Sequence, residues 1–212
     1  MYVPEHFAER RVPVLHAAIR RIGFATLVTA GAQGIEASHV PLLLDPEPAP
    51  LGTLLGHIAR ENPQARHAGD GEVLAIFLGA NAYVSPSWYP SKATSGSRVV
   101  PTWNYAAVHA YGPVAFFEDA ARLEALVTRL TALHEAGRPA PWSVADAPRD
   151  YLAAMLKAIV GFAIPITRLE GKWKMSQNRP PGDRAGVAAA LHGLGASAVA
   201  AGVLGEGDPE PA

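Results

Sequence analysis

Short apolar segments separated by glycine and proline turns recur along most of this chain, whereas helical periodicity is concentrated near its start, middle and end. The 212 residues include 20 glycines and 19 prolines, a composition that favours many short elements. A parallel α/β fold needs a helix after nearly every strand, and this sequence does not supply one. The pattern therefore predicts an α+β protein, mostly antiparallel, in which helices flank a β-barrel or sheet.

Turn residues and apolar spacing predict the individual elements. The clearest helix follows the leucines from Leu123 to Leu133 and ends at Gly137. The other predicted helices cover about 9–22, 63–67, 148–159 and 183–191. The predicted strands cover 24–29, 35–45, 53–59, 73–78, 82–85, two segments within 99–117, and 161–169. We expect one domain over 1–190, followed by an Ala/Gly-rich tail over 191–212 that is partly mobile, above all from Glu206 onward.

Composition excludes several function classes. A net charge of −1 gives no electrostatic reason to expect nucleic-acid binding, which makes DNA a doubtful partner. The absence of cysteine removes disulfides, thiolate zinc sites and cysteine nucleophiles. No pair among the eight histidines has the three- or four-residue spacing of helical metal ligands, so no metal site is expected. No run approaches the ~18 apolar residues that span a bilayer, and we expect a cytoplasmic protein without a membrane partner.

The polar segment after the predicted strand 53–59 favours an anion site. Asn62 and Pro63 provide an N-cap and a first-turn proline for the short helix that follows, and Arg60 lies beside them. A helix N-terminus next to an arginine can hold a phosphate group. The alternative is a capped surface helix with no ligand.

Two further segments combine polar and aromatic residues. Residues 85–92 and 100–105 bring together tryptophan, tyrosine, hydroxyl, amide and lysine side chains, a mixture that fits a flat polar ligand. For Trp88, Trp103 and Tyr105, a position in the core or in a dimer interface is an equally good interpretation. The segment 170–179 is polar and basic immediately after an apolar strand, and its alternative interpretation is a solvated face.

The sequence resembles the PaiB-type family, which is described as FMN-binding negative transcriptional regulators. The segments that carry the resemblance are Met1-Tyr-Val-Pro-Glu-His-Phe7, Phe24-Ala-Thr-Leu-Val-Thr29, Glu36-Ala-Ser-His-Val-Pro-Leu42, Gly56-His-Ile-Ala-Arg-Glu-Asn-Pro63, Ala82-Tyr-Val-Ser-Pro-Ser-Trp-Tyr89, Val99-Val-Pro-Thr-Trp-Asn-Tyr105 and Gly171-Lys-Trp-Lys-Met-Ser-Gln-Asn-Arg179. The resemblance covers about residues 1–190. It implies an FMN-binding split barrel that forms a homodimer, with the flavin near the subunit interface.

Looser similarity to other flavin split barrels implies which residues hold FMN. The second strand contributes Ser38 and His39, and the third strand with its following helix contributes His57, Arg60 and Asn62. Arg60 is expected at the phosphate. The strand that contains an amide contributes Trp103, Asn104 and Tyr105, with Asn104 at the edge of the flavin ring, and the basic segment contributes Lys174, Gln177 and Arg179. No residue is assigned a catalytic role.

Three functions remain open from the sequence. The first is a flavoprotein in which FMN carries any redox step, either as a sensor or as an FMN-dependent oxidoreductase or flavin reductase. The second is a repressor that binds DNA directly without turnover, although the chain contains neither a recognition-helix pair nor a sustained basic stripe. The third is a haem-binding split barrel with a histidine as axial ligand.

Overall fold

The computed structural model describes residues 1–32, 34–67 and 71–206, and the chain divides into two compact units. The first unit comprises Met1–Ile22, Phe77–His109 and Leu169–Ala212. The second unit comprises Gly23–Ile76 and Ala110–Arg168. Each unit is therefore assembled from segments that are distant in the sequence.

The described residues form ten strands and six helices. The strands are β1 (Ala8–Glu9), β2 (Phe24–Gly31), β3 (Gly34–Pro41), β4 (Leu43–Asp45), β5 (Thr53–Ala59), β6 (Glu72–Val84), β7 (Thr102–Pro113), β8 (Ala115–Phe117), β9 (Ile159–Pro165) and β10 (Arg168–Lys174). The helices are α1 (Val12–Ile22), α2 (Gln64–His67), α3 (Ala120–Glu135), α4 (Arg149–Lys157), α5 (Pro181–Gly193) and α6 (Ser197–Leu204). None of these helices is both long enough and apolar enough to cross a membrane.

The first unit contains a sheet in which β1, β10, β7 and β6 are neighbours in that order. The strands β1 and β10 are antiparallel, with Ala8 opposite Lys172. Helix α1 is amphipathic because apolar residues recur every three or four positions, and it buries Leu15 and Ile19. Near the C-terminus, the Arg184 guanidinium donates to the main-chain oxygen of Val203 and thereby ties α5 to the end of α6.

The second unit contains an antiparallel four-stranded sheet in the order β4, β5, β9, β8. The hairpin β2–β3 pairs along its full length, and β2 also pairs with the first part of β6. Helices α3 and α4 pack through a buried apolar cluster. That cluster consists of Leu123, Val144, Leu152 and Leu156.

The α+β prediction with antiparallel strands is confirmed. The two strand segments predicted within 99–117 are present as β7 and β8. The predicted strand 35–45 is divided at Leu42 into β3 and β4, and the Leu42 N–H extends the β2–β3 register by donating to the main-chain oxygen of Gly23.

Other predicted boundaries differ from the structure. The predicted strand 161–169 is divided between β9 and β10. The strand β6 continues through Gly79 and Asn81, where the sequence suggested a break between two strands. Residues assigned to the tail form α6, which buries Val199, Ala200 and Val203. Small side chains allow two helices to approach closely, so an alanine-rich segment can pack rather than remain a linker. The prediction of a mobile end lies outside the described residues from position 207 onward.

Candidate functional site

Arg60 follows the last residue of β5, and its guanidinium contacts acceptors from the same unit. Its Nε atom donates to the main-chain oxygen of Lys157 at 2.6 Å, and one Nη atom donates to that of Ile159 at 3.2 Å. The other Nη atom lies 2.7 Å from the carboxylate of Glu118. Arg60 thus connects the end of β5 to the turn between α4 and β9. Three of its five N–H groups are engaged in this way, and its predicted phosphate contact stays a prediction.

The helix after Arg60 is short, and its first amides are already satisfied. Asn62 caps α2, since its Oδ1 atom accepts from the Gln64 N–H at 3.0 Å. The Asn62 main-chain oxygen accepts from Ala65, and that of Pro63 accepts from Arg66. These contacts leave few free N–H groups for an anion at this end of the helix.

Ser38 and Asn62 are brought together by this capped turn. The Asn62 amide donates to the Ser38 hydroxyl at 2.8 Å, so the predicted residues on β3 and before α2 are direct partners. They line a shallow groove together with Gln64. Gln64 was not predicted from the sequence. It is buried, and its Nε2 atom lies within 3.2 Å of Leu27 O, Thr29 Oγ1 and Glu36 O.

The two predicted histidines of the second unit have different surroundings. His39 is exposed on β3, where its Nδ1 atom lies 3.0 Å from the Thr26 hydroxyl. His57 is half-buried on β5, and its Nδ1 atom has no hydrogen-bond partner among the residues that the structure describes. Burial lowers the pKa of His57, because desolvation disfavours the charged imidazolium.

Asn104 lies on β7 in the first unit and is fully buried. Its amide donates to the Ser176 hydroxyl at 3.0 Å, and Ser176 has a positive φ of 61°. This bond holds the turn after β10 in a left-handed conformation that a non-glycine residue adopts only with support. The predicted contact of Asn104 with a flavin ring edge remains a prediction.

Lys174, at the end of β10, contacts the start of β7. Its ammonium donates to the hydroxyl of Thr102 and, at 2.7 Å, to the main-chain oxygen of Trp103. The Trp103 indole is half-exposed and donates to the Asn81 side chain at 3.1 Å. Tyr83 meets the same ring edge-on, with ring centroids 6.1 Å apart. The indole is thus both accessible and held in one orientation.

Lys172 and Arg179 extend the positive charge around Lys174. Lys172 is buried, donates to the main-chain oxygen of Tyr2 at 3.0 Å, and lies 5.3 Å from the centroid of the Tyr105 ring. The guanidinium of Arg179 lies 4.7 Å from the centroid of the Tyr89 ring. Lys172, Lys174 and Arg179 are named the cation cluster below.

The members of the cation cluster form no ion pair with a carboxylate of the described residues, since none of the three has one within 4.0 Å. Burial lowers the pKa of Lys174, and the charges of Lys172 and Arg179 lower it further. Like charges held together at a partly desolvated site favour the binding of an anion.

Gln177 supports the turn that carries this cluster. Its side chain accepts from the Met175 N–H at 2.7 Å and donates to the main-chain oxygen of Trp173. Both ends of the amide are thus used inside the turn. Its predicted contact with FMN stays a prediction.

Sequence reasoning missed Lys172 and Gln64 for different reasons. Lys172 and Lys174 alternate along one strand, and a period-two pattern of lysines was a detectable signal. For Gln64 the sequence carried no comparable signal, since its partners lie on strands about 30 positions earlier in the chain.

A family model described as "Putative FMN-binding domain" matches residues 1–168. The chain belongs to this family. It is 35% identical over 240 residues to an uncharacterized protein of Aspergillus fumigatus, covering 92% of each chain. It is 33% identical to the protease synthase and sporulation protein PAI 2 of Bacillus subtilis, covering 84% of this chain and 83% of that protein. The PaiB-type resemblance and the FMN cofactor are thereby confirmed.

The fold is shared with solved flavoprotein structures. The flavocytochrome Anf3 from Azotobacter vinelandii superposes with a TM-score of 0.57 at 10% identity, covering 81% of this chain and 72% of that one. At this identity the likeness concerns the fold alone. It confirms the predicted split barrel.

Proposed function

We propose that this protein is a PaiB-type flavoprotein that binds FMN and uses it for a redox or sensing role. The observation that carries the proposal is the cation cluster, which lacks carboxylate partners in the described part of the chain. FMN is anionic, so the donor set of the first unit fits it. Family membership over residues 1–168 supports the same cofactor.

The residues around this cluster fit FMN in a second respect. The half-exposed Trp103 indole, fixed by Asn81 and Tyr83, provides a rigid aromatic surface of the kind on which a flat ring stacks. Lys174 and Thr102 present polar groups in the same unit. A rigid surface loses little conformational entropy on binding, which favours a pre-formed site.

When bound, FMN supplies the capacity to accept and release electrons, and the chain supplies binding and electrostatic tuning. Lys174 holds a positive charge near the start of β7, where its ammonium is fixed by two acceptors. In the second unit, the Ser38–Asn62 pair shapes a shallow groove with polar walls. Neither unit presents a nucleophile activated by a neighbouring base among the contacts described above, so no acid–base step is assigned.

We further propose that the protein acts as a cytoplasmic homodimer. Split-barrel flavoproteins of this type are expected to bind FMN near a subunit interface, and the exposed Trp103 and Tyr83 provide apolar surface for such a contact. The lack of cysteine fits a reducing compartment. A regulatory role is suggested by the Bacillus relative that is named for protease synthesis and sporulation.

Regulation through the flavin is a better proposal than direct DNA binding. The net charge of −1 provides no general attraction to phosphate backbones. The cation cluster consists of only three residues, one of them buried, and it does not form a basic stripe.

The absorbance spectrum of the purified protein tests FMN binding. We expect either flavin absorption in the protein as purified or saturable quenching of FMN fluorescence when the colourless protein is titrated. Denaturation followed by chromatography identifies the released flavin. A protein that contains no flavin and takes up none contradicts the proposal. Once FMN is bound, oxidation of NADH or NADPH distinguishes an oxidoreductase from a sensor, and gel filtration establishes the oligomeric state.

A further inference from the structure

The cation cluster and Arg60 are the two arginine- or lysine-based candidates for the phosphate of FMN. A phosphate ester at neutral pH carries between one and two negative charges and binds best to cations that have no competing carboxylate. The two candidates differ in this respect. Arg60 forms an ion pair with Glu118, whereas the cluster has no carboxylate within 4.0 Å among the described residues.

We propose that Lys172, Lys174 and Arg179 form the subsite for the FMN phosphate. This proposal rests on the proposed function. It places the phosphate in the first unit, and it assigns to Lys172 a ligand role that neither the sequence patterns nor the resemblance gave it.

The burial of Lys172 is the first argument for an anion here. Only 8% of its surface is exposed, and its protein partners are a carbonyl oxygen and the faces of Tyr2 and Tyr105. A buried ammonium without a counter-charge is strongly destabilised. Neutral acceptors reduce this penalty without cancelling the charge, whereas a phosphate cancels it.

The geometry of Arg179 is the second argument. Its guanidinium lies 4.7 Å from the centroid of the Tyr89 ring, a cation–π contact that holds the charge beside the turn after β10. A guanidinium can donate to two oxygens of one phosphate. Lys174 adds a point charge, and the Thr102 hydroxyl that accepts from Lys174 keeps its own proton for donation.

The competing site is less suited to a phosphate. Arg60 already donates to two main-chain oxygens and is paired with Glu118, whose charge repels an anion. The N–H groups of Gln64, Ala65 and Arg66 at the start of α2 are bonded within the turn. A phosphate at this position has to displace bonds that stabilise the fold.

Comparison of FMN with riboflavin tests the proposal, because the two flavins differ only in the phosphate. We expect the unaltered protein to prefer FMN in fluorescence-quenching titrations. Lys174→Met and Arg179→Met should each lower the affinity for FMN by about 10- to 100-fold, the scale of a lost charge-assisted hydrogen bond, and leave riboflavin affinity unchanged. Lys174→Arg keeps the charge and should retain most of the preference. Arg20→Met, on the exposed face of α1, is the matched control for loss of one positive charge.

Each alternative outcome has a distinct meaning. Equal affinities of the unaltered protein for FMN and riboflavin, or equal weakening of both flavins by the cluster variants, overturn the phosphate subsite. A preference for FMN that disappears in Arg60→Met and survives in the cluster variants also overturns it, in favour of Arg60. Failure to bind either flavin overturns the proposed function itself. If a methionine variant does not fold, Lys174→Gln and Arg179→Gln provide the test, since each removes the charge, keeps a polar side chain and should lower FMN affinity while leaving riboflavin affinity unchanged.

Discussion

The Nε atom of Arg60 donates a 2.6 Å hydrogen bond to the main-chain oxygen of Lys157, 97 positions further along the chain. A second bond to Ile159 and the ion pair with Glu118 complete the contacts of the guanidinium. The side chain therefore fixes the end of β5 to the start of β9. It is a structural connection within the second unit.

Replacement of Arg60 by methionine tests this structural role. We expect the free energy of unfolding to fall by about 1–3 kcal/mol, because two main-chain carbonyl oxygens, one exposed and one partly buried, lose their donor. The ion pair adds little, since the Glu118 carboxylate is 64% exposed and screened by water. Urea denaturation monitored by circular dichroism measures the change. Unchanged stability combined with a large loss of FMN affinity would instead restore the predicted phosphate contact.

Gln64 gives a second stability prediction. Its buried amide lies within hydrogen-bond distance of acceptors on β2 and β3, and in Gln64→Leu these acceptors lose that donor. Removal of one partner from a buried hydrogen-bonded set costs about 1–3 kcal/mol. We expect a loss of that size in urea denaturation.

The neighbouring Glu61 provides the control for Gln64. Its carboxylate is 90% exposed and lies 3.9 Å from Arg66, so Glu61→Gln should leave the unfolding free energy nearly unchanged. Equal stability of Gln64→Leu and Glu61→Gln would show that the amide does not hold α2 against the hairpin.

The fold was largely predictable because it depends on local patterns. Alternation of apolar residues and the turn at Gly31–Gly34 predicted the β2–β3 hairpin, and leucine spacing predicted α3. The prediction of a strand break near Gly79 was wrong, because glycine is a common turn signal and was interpreted as one. Here it lies inside β6, where an added Cβ would be 3.4 Å from the main-chain oxygen of Ala106. That distance is an ordinary van der Waals contact, so neither a turn nor close packing requires glycine at this position.

The sequence predicted which types of residue lie in the candidate site. It predicted much less about the contacts that those residues make. The sequence identified Arg60, Asn104 and Lys174 as polar residues in suitable segments. It could not show that Arg60 bonds to residues nearly 100 positions later, or that Asn104 is held by Ser176. Such partners are set by tertiary packing, which single-sequence patterns do not encode.

His57 predicts a pH dependence of stability. Burial lowers its pKa below the ordinary value of 6.5, so the unfolded chain takes up a proton at a higher pH than the folded chain does. Stability rises with pH wherever the unfolded state binds more protons. The stability that neutral His57 contributes is therefore complete above pH 6.5. It declines as the pH falls through 6.5 toward the lower pKa of the folded state.

Chemical denaturation at about pH 7.5 and about pH 5.5 measures this effect, because an unperturbed imidazole changes charge between them. His57→Gln removes the titration and keeps a polar side chain. We expect the unaltered protein to lose more stability than His57→Gln on acidification, while the other histidines contribute equally to both. Identical losses in the two proteins would contradict the prediction.

Replacement of glycine by alanine is predicted to have opposite effects on stability at two positions of α5. A Cβ added at Gly186 would lie 2.2 Å from the main-chain oxygen of Trp88, whereas one added at Gly182 meets nothing within 4 Å among the described residues. Gly182→Ala should raise the unfolding free energy by up to about 0.5–1 kcal/mol, because alanine restricts the unfolded chain and favours helix. Gly186→Ala should lower it by about 1–3 kcal/mol, since backbone must move to relieve the overlap. Thermal denaturation of both variants compares the two effects directly, and equal shifts in one direction would show that α5 is not packed against the turn at Trp88.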